Sequence, residues 1–180
     1  MRKVRVDLSE LVSAQETNFP EMSHFLDLET GEVVMSTEDD SSAAEDFLEQ
    51  VEIQGDESDE VIQAKVQEWI KESDFPEWEE EGIASAVLVE MHFGERFINI
   101  PAEESHDGYN DMADFASTMK DEHLERLLSV ALNGKGAFRR FKDVLYDYPE
   151  ERERWFEFSQ DCKEKRAREW LESEDIEIET

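Results

Sequence analysis

The sequence predicts an α+β fold, a small antiparallel sheet from the N-terminal half packed against a C-terminal helical bundle. Three observations carry that expectation. Short apolar runs separated by turn residues fill the first hundred positions, as strands and hairpins require. From Gly108 onward the apolar residues recur at intervals of three and four, as amphipathic helices require. Finally, 38% of the 180 residues are apolar, with 11 Phe and 4 Trp, enough to close a core although 18 Lys and Arg face 49 Asp and Glu for a net charge of −31. At this length a single α+β domain over residues 1–180 is expected.

The first strand is expected at residues 4–6, followed by a short helix or turn at 8–14. In HFLDLETGEVVM, residues 24–28 and 32–35 read as strands around Glu29, Thr30 and Gly31, the glycine supplying the positive φ of a tight hairpin. Phe47 with Val51, and Val61, Ala64, Val66, Trp69 and Ile70, predict helices over 43–51 and 60–71. Residues 84–92 read as a strand that turns at Phe93, Gly94 and Glu95 into another at 96–100, which Pro101 stops. That makes about five strands.

Tyr109, Met112, Phe115 and Met119 then form one helical face. Asp121 suits an N-cap, with Leu124, Leu127, Leu128, Ala131 and Leu132 continuing to a stop at Asn133 and Gly134. Gly136 opens a helix whose stripe is Phe138, Phe141, Val144, Leu145 and Tyr148. Pro149 fits the first turn of the last helix, where the amide it lacks would be unpaired anyway. That helix is expected to run to about residue 172 and to bury Trp155, Phe158, Cys162 and Trp170, with Phe156 and Ala167 on its flank.

The charge is unevenly spread: residues 1–26, 27–90 and 91–180 carry −1, −20 and −10. Self-repulsion in STEDDSSAAED, GDESDE and EWEEEG predicts that residues 37–83 are an acidic, partly helical insertion with mobility of its own. Trp69 and Trp78 lie in it, either docking the segment onto the domain or forming a patch for a partner. The opposite anomaly is a basic island, Arg126, Lys135, Arg139, Arg140 and Lys142, uninterrupted by any carboxylate. Binding of a polyanion by the whole surface is excluded by repulsion. The N-terminus has no signal-peptide run, no apolar stretch reaches the length of a membrane span, and a lone Cys162 suits a reducing compartment, so a cytoplasmic location without membrane partners is expected.

Most chemistry can be set aside. Ser105, His106 and Asp107 have the residue types of a hydrolase triad, but adjacent side chains diverge, and a helix cap is the simpler reading. His24, His92 and His123 lack zinc spacing, and residues 56–68 lack the glycine and alternating oxygens of a calcium loop. Asn133-Gly134-Lys135-Gly136-Ala137 lacks the Ser or Thr of a phosphate-binding P-loop. Anion binding survives that objection, because Lys135, Arg139 and Lys142 share one side of a helix whose aromatics face another. The competing reading pairs these bases with neighbouring carboxylates. No catalytic residue, metal or cofactor is expected.

The stretches VRVDLSELVSA, HFLDLETGEVV, RFINIPAEESHDGYNDMADFA and, most specifically, NGKGAFRRFKDVLYDYPEERERWFEF with AREWLES resemble the bacterial uncharacterised protein family 0158. The resemblance covers residues 1–36 and 96–172 and departs between about 37 and 95. It implies a bacterial, cytoplasmic α+β protein and no assigned activity. The polar positions it carries are Asp27, Lys135, Arg139, Arg140 and Lys142. A non-enzymatic binding or regulatory module is therefore expected, with the basic helix surface as its site, Asp27 as a polar partner, and a protein as the ligand, local nucleic-acid or anion contact remaining open. Two alternatives stand beside it. One is an enzyme for a phosphorylated substrate with Asp27, Glu104 and Lys142 converging; the other is an acidic nucleic-acid mimic whose middle third binds a basic protein.

Overall fold

Asp7 caps the first helix, its carboxylate accepting from the amides of Ser9 and Glu10 at 2.8 and 3.3 Å. The computed structural model describes residues 1–17, 19–55 and 57–179. Within them the order is β1 (Arg2–Val4), α1 (Leu8–Glu16), β2 (Met22–Asp27), β3 (Val33–Thr37), α2 (Glu38–Gln50), α3 (Asp59–Ser73), α4 (Glu80–His92), β4 (Phe97–Ile100), α5 (Ser105–Ser117), α6 (Glu122–Ala131), α7 (Ala137–Tyr146), α8 (Pro149–Ser173) and β5 (Ile176–Ile178). The fold class is α+β. The chain divides into two compact units, Met1–Pro101 with Ile176–Thr180, and Ala102–Asp175.

In the first unit β2 and β3 form the hairpin read from the sequence, with Phe25 opposite Val34 and Leu26 opposite Val33. Gly31 has φ +80°, and a Cβ there would overlap the Arg5 carbonyl oxygen, so close backbone approach as well as the turn demands glycine. β4 pairs antiparallel with β2 on its other side, giving the order β3-β2-β4. The first strand lies at 2–4 rather than 4–6, and it pairs parallel with β5, a strand the sequence reading lacked.

Residues 84–92 are helical, which corrects the expected strand. Ile83, Ala84, Ala86, Val87 and Val89 are all buried, and periodicity alone cannot separate a helix buried on several sides from a buried strand. Glu80 and Glu81 complement the positive N-terminal end of α4. The alanines Ala43 and Ala44 of α2 and Ala84 and Ala86 of α4 belong to one core, in which small side chains permit close helix approach. Phe47, Ile62, Val66 and Ile70 complete that core, so the acidic middle third carries a substantial apolar interior.

The second unit is a four-helix bundle, α5 to α8. Asp121 caps α6, accepting from the amides of His123 and Leu124 at 2.8 and 3.3 Å. Pro149 stands in the first turn of α8. The core centres on three rings, with Phe115 and Trp155 centroids 5.3 Å apart, Phe141 and Trp155 5.0 Å, and Phe115 and Phe141 6.3 Å. Edge-to-face pairs of this kind add to the burial of the rings themselves. Phe138 departs from the expected interior at 44% exposed, whereas Phe156, expected on a flank, is 59% exposed. Ala167, assigned to a flank, is fully buried, while Trp170 and Cys162 are half-buried.

Candidate functional site

The basic island spans the turn between α6 and α7. Gly134 and Gly136 have φ values of +78° and +79°, which reverse the chain within three residues. Gly136 is the N-cap of α7 and has no side chain to satisfy the first turn. The amides of Ala137, Phe138 and Arg139 find no acceptor among the described residues, the first backbone bond running from Arg140 N–H to Gly136 O at 3.1 Å. These amides and the helix dipole give the end of α7 a positive potential.

The four cations placed here by sequence behave differently. Lys135 and Lys142 are exposed and form no ion pair among the described residues. Arg139 reaches Asp143 at 3.7 Å, but the two side chains are 88% and 69% exposed, and such solvent-exposed pairs hold weakly. Arg140, expected beside the others as a binding residue, does not stand free. Its guanidinium donates to Ala131 O at 3.0 Å and Gly134 O at 3.3 Å, and also to the carbonyls of Asn133 and Lys135. It therefore ties down the turn and the carbonyl end of α6.

Phe138 is the surface residue the sequence stripe concealed. The α7 interior is centred on Ala137, Phe141 and Leu145, which leaves 138 at the margin. Its ring lies over Gly108 of α5, where a Cβ would come within 3.1 Å of it. Tyr109 beside it is 39% exposed. The resulting face combines Lys135, Arg139 and Lys142 with an accessible aromatic ring. The run Gly136-Ala137-Phe138, which begins the stripe one turn before its buried centre, was the available signal.

Asp27 belongs to the first unit, and its carboxylate is filled from within. It is 3% exposed. Arg96 donates to it at 3.0 and 3.1 Å through Nε and at 2.7 Å through Nη2, and the amides of Glu29 and Thr30 donate at 2.8 and 3.4 Å. Burial pushes this carboxyl up, but the Arg96 and backbone hydrogen bonds outweigh it and hold the group below the ordinary carboxylate value. Arg96 also meets Asp59 at 2.6 Å, and Asp59 meets His92 Nε2 at 2.9 Å. Nothing in the local sequence announced this hub.

A comparable lock in the second unit joins Arg166 to Asp111 at 2.8 and 2.9 Å and to Glu103. Cys162 lies beside it. Burial, then the charge and hydrogen bond of Asp111, push its thiol up, opposite to what a nucleophilic cysteine needs. Ser105, His106 and Asp107 begin α5, with Glu104 as N-cap and Asp107 Oδ2 accepting from the Glu104 amide at 3.3 Å. Glu104 and Asp107 form a capping box, and Ser105, His106 and Asp107 have no triad geometry. No group of three or more His, Cys, Asp or Glu arranged to hold a metal occurs among the described residues. Asp56, the start of the stretch weighed for calcium, lies outside them. No helix of the described residues is long and apolar enough to cross a membrane.

The two tryptophans of the middle third separate. Trp69 is half-buried against Phe47 and Phe75, with centroids at 5.6 and 5.4 Å, and donates to Gln50 Oε1 at 3.2 Å. Trp78 is 80% exposed.

A family model described as Uncharacterised protein family (UPF0158) matches residues 81–179, from α4 through the whole second unit to β5. UPF0158 protein PA5073 of Pseudomonas aeruginosa is 26% identical over 176 residues, covering 98% of this chain and 87% of its own length. That alignment takes in the middle third, and the family match already begins at 81, inside the stretch read as divergent. No solved structure matches.

Proposed function

The chain belongs to the uncharacterised protein family UPF0158, a membership that supplies no activity, and on that premise we propose that it is a non-enzymatic binding module whose α7 face takes an acidic segment of a partner protein. The observation that carries this reading is the pairing of outward cations with unsatisfied main-chain donors. Lys135, Arg139 and Lys142 surround a helix start whose first three amides have no acceptor among the described residues. The exposed Phe138 ring adds apolar contact at the margin of that face, and aromatic anchors contribute strongly to protein interfaces. The net charge of −31 disfavours an extended nucleic acid, which would meet repulsion everywhere beyond this patch, whereas a short carboxylate-rich peptide would not.

The charge reversals Arg139→Glu and Lys142→Glu together test the reading, because neither side chain supports the fold. Affinity capture from the source cell with quantitative mass spectrometry should show at least a tenfold loss of the specific partners. An unchanged partner set rejects the α7 face. Arg140→Glu is unsuitable here, since losing its carbonyl contacts would disturb the turn as well as the charge.

A further inference from the structure

β3 (Val33–Thr37) is one of the two outer strands of the three-stranded sheet, so one of its edges has no strand of the described residues beside it. Asp27 N–H donates to Glu32 O and Glu38 N–H to Glu21 O, both at 3.0 Å. The alternation of an antiparallel pair then turns the peptide groups of Val34 and Ser36 toward β2 and those of Val33 and Met35 outward. Thr37 N–H, the next outward donor, is engaged by Asp40 Oδ2 at 2.9 Å. The outward groups of Val33 and Met35 have no hydrogen-bond partner among the described residues.

Exposed edges of this kind are sites of strand addition unless covered or guarded. Here the edge borders a groove of about 510 Å³, whose far wall is Trp78, Glu79, Glu81 and Gly82 at the start of α4. The groove continues past Thr37 and Asp40 toward Glu21 and Glu38. Trp78 stands over it 80% exposed, and Met35 is 48% exposed on the edge itself. An indole face in such surroundings attracts a guanidinium or ammonium group.

We infer that this edge docks an extended cationic segment of a partner protein, added beside β3 as a fourth strand with its Arg or Lys side chains on the groove carboxylates and the Trp78 ring. Main-chain hydrogen bonds to Val33 and Met35 supply the docking geometry, and alternate side chains supply the selection. The charges choose the occupant. A second copy of this edge would bring like charges together, and an apolar strand would leave the carboxylates unanswered. The site lies in the first unit and has the opposite sign to the α7 face, so it stands independently of the reading given for α7.

The test uses the full chain and fluorescein-labelled ten-residue peptides alternating Arg and Val, with anisotropy measured at about 0.15 M salt. Trp78→Ala is expected to weaken binding about three- to fivefold. Two further peptides carry N-methyl groups on alternate residues, one set on the Arg positions and the other on the Val positions. Strand addition predicts at least a tenfold loss for one set and less than a twofold change for the other, because only one parity of amides faces β3. Equal binding of both methylated peptides, or a Trp78→Ala variant that binds like the wild type, would mean attraction by charge alone and overturn the proposal. So would tighter binding of the matching Asp and Val peptide, or edge-mediated self-association that excludes the peptide.

Discussion

At the scale of single residues, Asp27 does two jobs at once: its backbone and side chain close the β2–β3 turn, and its carboxylate holds Arg96 against the sheet. Removing it leaves a largely buried guanidinium whose carboxylate partners among the described residues are Asp59 and Glu29. Asp27→Ala should therefore cost the first unit about 3 kcal/mol, measured by urea unfolding. The pH dependence has a definite sign. A carboxyl held below its unfolded value stabilises the fold above roughly pH 4 and loses that contribution as pH falls through its lower folded value. Acid unfolding of the wild type should thus be steeper below pH 4 than that of Asp27→Asn, and parallel curves would contradict the assignment. The turn around Gly31 was legible because its demand is local. The Asp27–Arg96 pair was not, since 69 residues separate its members and each alone reads as an ordinary surface charge.

Elements show the same division. The stripe of α6 and the cap at Asp121 are local signals, and the sequence reading placed them within a residue or two of the observed helix. α4 defeated that reading because its identity is decided by what packs around it: with apolar residues on most sides it lacks a polar face to reveal the helical period. β5 is three residues long and its partner is at the other end of the chain, so no window of sequence contains its reason for being extended. On α7, neighbouring arginines should respond differently. Arg140→Ala removes charge-assisted bonds to the end of α6 and should cost about 2 kcal/mol. Arg139→Ala should stay within about 0.5 kcal/mol, as expected for an exposed pair. Thermal unfolding of the two variants side by side checks this, and equal losses would contradict the turn-holding role of Arg140.

For the molecule as a whole, repulsion among carboxylates is the dominant long-range force. Salt weakens both that repulsion and the attractive pairs, so the balance must be argued. The exposed pairs Lys3–Glu177 at 3.8 Å and Lys165–Glu169 at 3.7 Å contribute little to begin with. The partly buried Asp27–Arg96 and Asp111–Arg166 pairs are the least screened. Relief of repulsion should win, raising the midpoint of thermal unfolding by at least about 4 °C between 0.01 and 0.5 M sodium chloride. A falling midpoint would show that ion pairing outweighs the net charge of −31. The α+β class was legible at this scale because it follows from summed patterns, whereas the division into two units depends on contacts between residues far apart in sequence.

The pairing of β1 with β5 bears on the order in which the molecule is made. β1 leaves the ribosome well before its partner, with every other element of the described residues between them in sequence. A nascent chain therefore carries an unmatched strand until β5 emerges, while the bundle at Ala102–Asp175 is contiguous in sequence. Completion of the first unit must wait for β5, and until then the growing polypeptide offers a bare edge to chaperones.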